Sequence, residues 1–100
     1  MPATAGDAAL TPYLARIAAG HTLDAAEAEA AFTLVMQGRA SAVQTAALLA
    51  ALRARGEAPA EVAGGVRALR RAMVPIPPPP GPPLVDTCGT GGGRFTTFNI

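Results

Sequence analysis

Apolar residues recur at helical spacing through the first three quarters of the chain, and this pattern predicts four short helices. The first is expected to start at Thr11, with a proline in its first turn, and to stop at Gly20. The second is predicted from Asp24 to about Gln37, because Asp24 and Glu27 have the spacing of a capping box. Each of these helices therefore has its own start and stop signals.

The third and fourth helices differ in how their apolar residues are distributed. The third is expected between Ser41 and Gly56, and its centre, Ala46 to Leu52, is apolar on every face, which is typical of a helix surrounded by partners. The fourth is expected to begin near Pro59 and has one regular apolar stripe. The stripe has i, i+4, i+7 and i+11 spacing and consists of Val62, Val66, Leu69 and Met73.

Two adjacent glycines interrupt the fourth helix. Gly64 and Gly65 each weaken a helix by ~1 kcal/mol relative to Ala. Two interpretations follow from the sequence: either the glycines permit two helices to approach closely, or this helix is simply weak.

Composition narrows the class of protein. Large apolar residues are few in this Ala-rich chain, so the helices are expected to pack on a second domain or a second copy. The longest apolar run, Ala46 to Leu52, is far shorter than the roughly 20 residues that cross a bilayer. A net charge of +1 excludes a strongly basic nucleic-acid-binding surface, and a single Cys cannot form an internal disulfide. We therefore expect a cytoplasmic protein that binds neither membranes nor nucleic acid.

A proline-rich segment divides the chain into two unequal parts. Residues 1–74 form the predicted helical domain, residues 75–83 an extended linker, and residues 84–100 the start of a further domain. The linker also satisfies the PxxP pattern at Pro77 to Pro80, so a ligand for a proline-binding domain is the alternative interpretation of this segment.

A glycine cluster after the linker is the strongest candidate for a binding site. Leu84 and Val85 predict a short strand, and four glycines follow within residues 89–93. Because Gly has no Cβ, successive backbone N–H groups can turn towards a phosphate, and Arg94 adds a positive charge. The chain has no Lys, which excludes a Walker loop. On these grounds a phosphate site and a simple tight turn are equally good interpretations.

The residues around this cluster resemble a known family. Asp86-Thr87-Cys88-Gly89-Thr90-Gly91-Gly92-Gly93, followed by Thr97-Phe98-Asn99-Ile100, resembles the signature loop of anthranilate phosphoribosyltransferases. The upstream chain is similar to the helical start of the same family, including Met36-Gln37-Gly38, Gln44 to Arg53 and Glu61-Val62-Ala63-Gly64. The resemblance covers nearly all of the chain after residue 10.

The resemblance implies a fold and a reaction. The fold is a helical small domain of about four helices, followed by the first strand and glycine loop of an α/β phosphoribosyltransferase domain. Anthranilate attacks C1 of phosphoribosyl pyrophosphate (PRPP), pyrophosphate leaves, and no protein nucleophile is needed. The implied substrate-binding residues are Gly89, Thr90, Gly91, Gly92, Gly93, Thr97, Asn99 and Ile100.

Further expectations come from the same resemblance. The family uses Mg²⁺, whose ligands are expected outside this segment, and it forms homodimers through the helical domain. Gly93 stands where the family usually has Asp, so one carboxylate contact is lost or supplied elsewhere. We expect the hundred residues to be the N-terminal part of a longer enzyme in tryptophan biosynthesis, inactive on their own.

Two alternative functions belong to related classes. A pyrimidine nucleoside phosphorylase has a similar helical domain and glycine loop, but its motif contains Lys, which this chain lacks. A relative without enzymatic activity that binds nucleic acid or only dimerises is the other alternative, and the near-neutral charge disfavours nucleic-acid binding.

Overall fold

The structure is a computed structural model and describes residues 8–86. Within them the chain forms four helices: α1 (Thr11–Ala18), α2 (Ala25–Met36), α3 (Ala42–Arg55) and α4 (Pro59–Ala72). The predicted order and starts are confirmed. The backbone leaves α1 and α2 through Gly20 and Gly38, whose φ angles of 84° and 66° favour glycine and end both helices.

The helix starts use the capping residues that the sequence predicts. Asp24 Oδ1 accepts a hydrogen bond from the Glu27 N–H at 2.8 Å, and Glu27 Oε2 accepts one from the Asp24 N–H at 2.9 Å. Ser41 Oγ accepts from the Gln44 N–H at 3.2 Å. Such bonds satisfy N–H groups that have no partner inside the helix, each typically stabilising it by about 1 kcal/mol.

The four helices pack as two pairs, α2 with α4 and α1 with α3. Small residues dominate the first pair. A Cβ added to Gly64 would lie 2.5 Å from the Ala25 carbonyl oxygen and 2.6 Å from Ala28 Cβ. The interpretation of the two glycines as a point of close helix approach is therefore confirmed. The buried apolar residues of the bundle are Leu10, Ile17, Leu23, Ala28, Ala31, Leu48, Leu52 and Ala68.

The stripe on α4 does not contribute to this core. Val62, Val66, Leu69 and Met73 are 47–57% exposed, whereas the buried side of α4 consists of Glu61, Gly64, Gly65 and Ala68. The reason is steric, because α4 approaches α2 most closely along its smallest side chains. The stripe is as regular as predicted, but it is left uncovered within residues 8–86.

The centre of α3 is also less enclosed than expected. Leu48 and Leu52 are buried, but Leu49 is exposed on the opposite side. The prediction that partners surround this helix is wrong for the part of the chain that the structure describes. The bundle supplies neighbours to one side of α3 only.

The segment after α4 has no helix or strand up to residue 86. Its proline-rich part is exposed. The strand predicted from Leu84 is not formed in the described residues, where Leu84 and Val85 are exposed. A strand needs a neighbouring strand to satisfy its N–H and C=O groups, and residues 8–86 contain none. No helix in these residues is both long and apolar enough to cross a membrane.

Candidate functional site

The predicted phosphate-binding loop lies outside the described residues. This applies to every substrate-binding position named above: Gly89, Thr90, Gly91, Gly92, Gly93, Thr97, Asn99 and Ile100. Asp86, the first residue of the signature motif, is described and is exposed at the end of the extended segment. The described residues therefore form the helical scaffold that precedes the loop, which contains two buried polar side chains, Glu61 and Gln44.

The most deeply buried polar group of the scaffold is the carboxylate of Glu61, which is only 2% exposed. Its Oε1 accepts a hydrogen bond from the Leu23 N–H, and its Oε2 accepts one from the Ala58 N–H, both at 2.8 Å. Arg55 Nη2 forms an ion pair with Oε2. One side chain thus connects the loop before α2, the end of α3 and the start of α4.

The position of Glu61 follows from its place in α4. It is the third residue of the helix, where a Glu side chain can turn back to the N–H of the preceding cap residue. The cap residue is Ala58, which has no side-chain oxygen, so only this half of a capping box exists here. The second carboxylate oxygen remains available and reaches the Leu23 N–H across the bundle.

The environment of Glu61 keeps it ionised. Burial alone would raise the pKa of this carboxyl, but the backbone N–H groups of Ala58 and Leu23 and the guanidinium of Arg55 outweigh it, so the pKa lies below its ordinary value. Arg55 is itself fixed by donating from Nη1 to the His21 carbonyl oxygen at 2.6 Å. A fully paired carboxylate with a lowered pKa is suited to holding a fold together.

Gln44 forms a second buried connection. Its Oε1 accepts from the Leu10 N–H at 3.1 Å, and its Nε2 donates to Thr11 Oγ1 at 3.2 Å. These bonds attach the start of α1 to the start of α3. In the sequence, Gln44 and Glu61 are both distinguished only as members of segments that carry the family resemblance. A sequence signal that could have identified both side chains is their position as the third residue of a predicted helix.

A polar groove of about 540 Å³ lies between α1, α2 and the end of α4. Glu29 Oε1 lies 2.5 Å from Arg71 Nη1 at its edge, and the Arg71 side chain is largely exposed. The other polar lining residues are Tyr13, Thr33, Gln37 and Arg39. Water screens such exposed charges strongly, so this groove provides only a weak attraction for a charged ligand.

A second, apolar groove of about 210 Å³ lies beside the stripe on α4. Phe32 and Leu52 contribute its wall from α2 and α3, and the other apolar lining residues are Val62, Gly65, Val66 and Leu69. No group of three His, Cys, Asp or Glu side chains in residues 8–86 is arranged to hold a metal ion. The groove gives the helical scaffold an apolar packing surface beside α4.

Comparison with known proteins assigns the scaffold to a family. Residues 11–73 match the family model described as "Glycosyl transferase family, helical bundle domain". The chain belongs to this family. The match includes all four helices of the structure, so the predicted helical small domain is confirmed. No solved structure is significantly similar to the chain.

This member of the glycosyl transferase family is also similar to several curated proteins, over more of its length than the helical bundle. The anthranilate phosphoribosyltransferase of Solibacter usitatus (strain Ellin6076) is 48% identical over 92 residues, which is 91% of this chain and 27% of the relative. That of Azospirillum brasilense is 45% identical over 87 residues, 87% of this chain and 24% of the relative. That of Rubrobacter xylanophilus (strain DSM 9941 / JCM 11954 / NBRC 16129 / PRD-1) is 48% identical over 91 residues, again 91% of this chain and 26% of the relative.

The two matches that cover 91% of this chain reach the glycine cluster. A continuous match to 91% of a hundred-residue chain includes residues 10–91 wherever it starts, and so crosses the proline-rich segment into the cluster. The chain spans about a quarter of the length of these relatives. The resemblance to anthranilate phosphoribosyltransferases stated from the motifs is confirmed.

Proposed function

We propose that these residues form the N-terminal part of an enzyme that transfers the phosphoribosyl group of PRPP to anthranilate and releases pyrophosphate, in tryptophan biosynthesis. The observation that carries this proposal is the identity of 42–48% to anthranilate phosphoribosyltransferases over 87–92 residues. The family model alone supports only the coarser class of glycosyl transferases. The relatives supply the substrate class.

In this proposal the glycine cluster holds the diphosphate of PRPP. The absence of Cβ atoms at Gly89, Gly91, Gly92 and Gly93 lets backbone N–H groups approach the phosphate oxygens. Thr90, Thr97 and Asn99 add neutral hydrogen-bond donors, and Ile100 continues the contact surface. Catalysis then consists of positioning the two substrates and stabilising the charge that develops on the leaving pyrophosphate.

The remaining parts of the proposal concern Mg²⁺, assembly and location. Mg²⁺ supplies positive charge to the diphosphate, and carboxylates outside residues 1–100 hold it. The enzyme is a cytoplasmic homodimer that pairs through its helical domain. The uncovered apolar surface of α3, with Val43 and Leu49 exposed, supplies area for such packing.

The proposal is tested by calorimetry of PRPP binding in the presence of Mg²⁺, using the whole protein. Gly92→Val places a branched side chain among the backbone N–H groups and is expected to weaken binding by about tenfold or more, which is ~1.4 kcal/mol. Ala72→Val adds similar bulk at an exposed position at the end of α4 and is expected to leave the affinity unchanged.

Two results would contradict the proposal at different levels. Equal PRPP affinity of wild type and Gly92→Val would exclude the backbone cluster as the diphosphate site. Absence of pyrophosphate release when the wild-type whole protein is given PRPP, Mg²⁺ and anthranilate would exclude the reaction itself.

A further inference from the structure

Four consecutive prolines, Pro77 to Pro80, belong neither to the core of the bundle nor to the proposed diphosphate site. Residues 71–86 are all exposed, and none of residues 74–86 lies in a helix or strand. Helix α4 ends at Ala72, so the run lies between the helical domain and the glycine cluster. Packing in the described part of the chain therefore does not account for the run, whereas the chemistry of proline has a direct consequence for how this chain is made.

Proline reacts slowly when a ribosome forms a peptide bond. In each such step the amino nitrogen of the incoming aminoacyl-tRNA attacks the ester carbonyl carbon of the peptidyl-tRNA. A C–N bond forms, the ester C–O bond to the tRNA breaks, the nitrogen loses a proton and the released tRNA hydroxyl gains one. The nitrogen of proline is a secondary amine inside a ring, so its approach to the carbonyl carbon is sterically restricted.

Precedent prolines in the growing chain restrict the other reactant. Each ring fixes φ near −65°, and each residue before a proline is confined to extended backbone. A growing chain that ends in Pro77-Pro78 is therefore stiff and cannot turn its terminal carbonyl freely towards the incoming nitrogen. The 78–79 and 79–80 bonds each add a proline to a chain that already ends in two prolines. These two bonds are the slow steps.

The size of the delay follows from the cost of poor positioning. Misplacing reacting groups by about 1 Å slows a reaction by about 100-fold. Protein synthesis adds about 5–20 residues per second, so a step slowed to this extent takes roughly 5–20 s. At the ordinary rate the entire hundred residues take about 5–20 s. Two slow steps would therefore take longer than the synthesis of the rest of this segment.

We propose that Pro77–Pro80 is a translational pause site, and that synthesis past it depends on an elongation factor that accelerates bond formation between consecutive prolines. The pause comes after the residues of all four helices have been polymerised and before the glycine cluster is made. The supply of the whole protein then depends on the activity of this factor. The inference goes beyond the proposed function, because the pause depends on the growing chain and not on the reaction of the finished enzyme.

The test translates the whole coding sequence in a purified bacterial system, first without and then with the elongation factor for consecutive prolines. Pro79→Ala leaves no three prolines in succession, whereas the matched control Pro83→Ala removes a proline and keeps the run of four. Both positions are exposed, so neither change removes packing in the bundle. Gel electrophoresis measures the peptidyl-tRNA that carries residues 1–78 or 1–79.

Without the factor, we expect wild type and Pro83→Ala to accumulate about tenfold more of this peptidyl-tRNA than Pro79→Ala. Adding the factor should remove the difference. If wild type and Pro79→Ala accumulated equal amounts without the factor, the run would not be a pause site. If the factor left the accumulation in wild type unchanged, the proposed dependence on it would be wrong. Failure of the proposed function would appear separately, as a lack of pyrophosphate release by the finished protein.

Discussion

The two adjacent glycines of α4 allow one substitution to be compared in two environments. Gly64→Ala and Gly65→Ala each replace Gly by the best helix former, which by itself stabilises a helix by ~1 kcal/mol. The new Cβ at position 64 would lie 2.5 Å from the Ala25 carbonyl oxygen and 2.7 Å from the Glu29 backbone nitrogen. The new Cβ at position 65 would lie 3.4 Å from the Phe32 ring.

These distances predict opposite signs for the change in stability. Backbone atoms of α2 cannot move aside individually, so Gly64→Ala must push α4 away from α2, and overpacking of this kind costs about 1–3 kcal/mol. The Phe32 contact is an ordinary one, so Gly65→Ala retains most of its gain in helix propensity. We expect Gly65→Ala to be more stable than Gly64→Ala by about 1–3 kcal/mol, which is the cost of overpacking at position 64.

The assay is urea unfolding of the hundred-residue chain followed by far-ultraviolet circular dichroism, with wild type and both variants measured together. The comparison between the variants cancels their equal gain in helix propensity. If Gly64→Ala were as stable as Gly65→Ala, the close approach of α4 to α2 would not exist in solution. The pairing of these helices would then have to be revised.

The remaining predictions concern Glu61. Glu61→Gln removes the partner of Arg55 and gives a buried N–H group a donor in place of an acceptor, so the free energy of unfolding is expected to fall by about 2–4 kcal/mol. Glu57→Gln is the matched control, because the ion pair of Glu57 with Arg53 is exposed and stabilises the fold by less than about 1 kcal/mol. If both variants lost the same free energy of unfolding in urea, the buried Glu61 connection would not stabilise the fold more than a surface ion pair. Because the folded-state pKa of Glu61 is below its ordinary value of 4.5, its contribution is expected to be complete above about that pH and to be lost as the pH falls through the lowered pKa. The difference in unfolding free energy between wild type and Glu61→Gln should therefore shrink in acid, and a difference that grew in acid would contradict the assigned direction.

The helix boundaries could be predicted from the sequence because their signals are local. Asp24 and Ser41 cap the helices that follow them, and Gly20 and Gly38 end the helices that precede them. These signals depend on hydrogen bonds within a few residues, which spacing alone reveals.

The packing of the helices could not be predicted in the same way. Hydrophobic spacing shows which residues share a face, but not which face a neighbour covers. In α4 the covered face is set by the close approach at Gly64, so the larger side chains of the stripe remain outside. Leu10 is fully buried although it precedes the first residue of α1.

The candidate binding site could be predicted from the sequence only in part. A glycine cluster indicates a place where backbone approaches a ligand, but many tight turns have the same composition. The order of the residues from Asp86 to Ile100 supplied the family, and the curated relatives support it. The buried connections through Glu61 and Gln44 join residues more than thirty positions apart, and no local pattern reports such contacts.

The bond between Glu61 and the Leu23 N–H has a consequence for how the chain folds during synthesis. The acceptor is made 38 residues after the donor, so the Leu23 N–H lacks this partner while α2 and α3 are being translated. Forming the bond closes the chain between Leu23 and Glu61 into a loop, and this closure costs conformational entropy. During synthesis this connection therefore forms only after the first turn of α4 has left the ribosome.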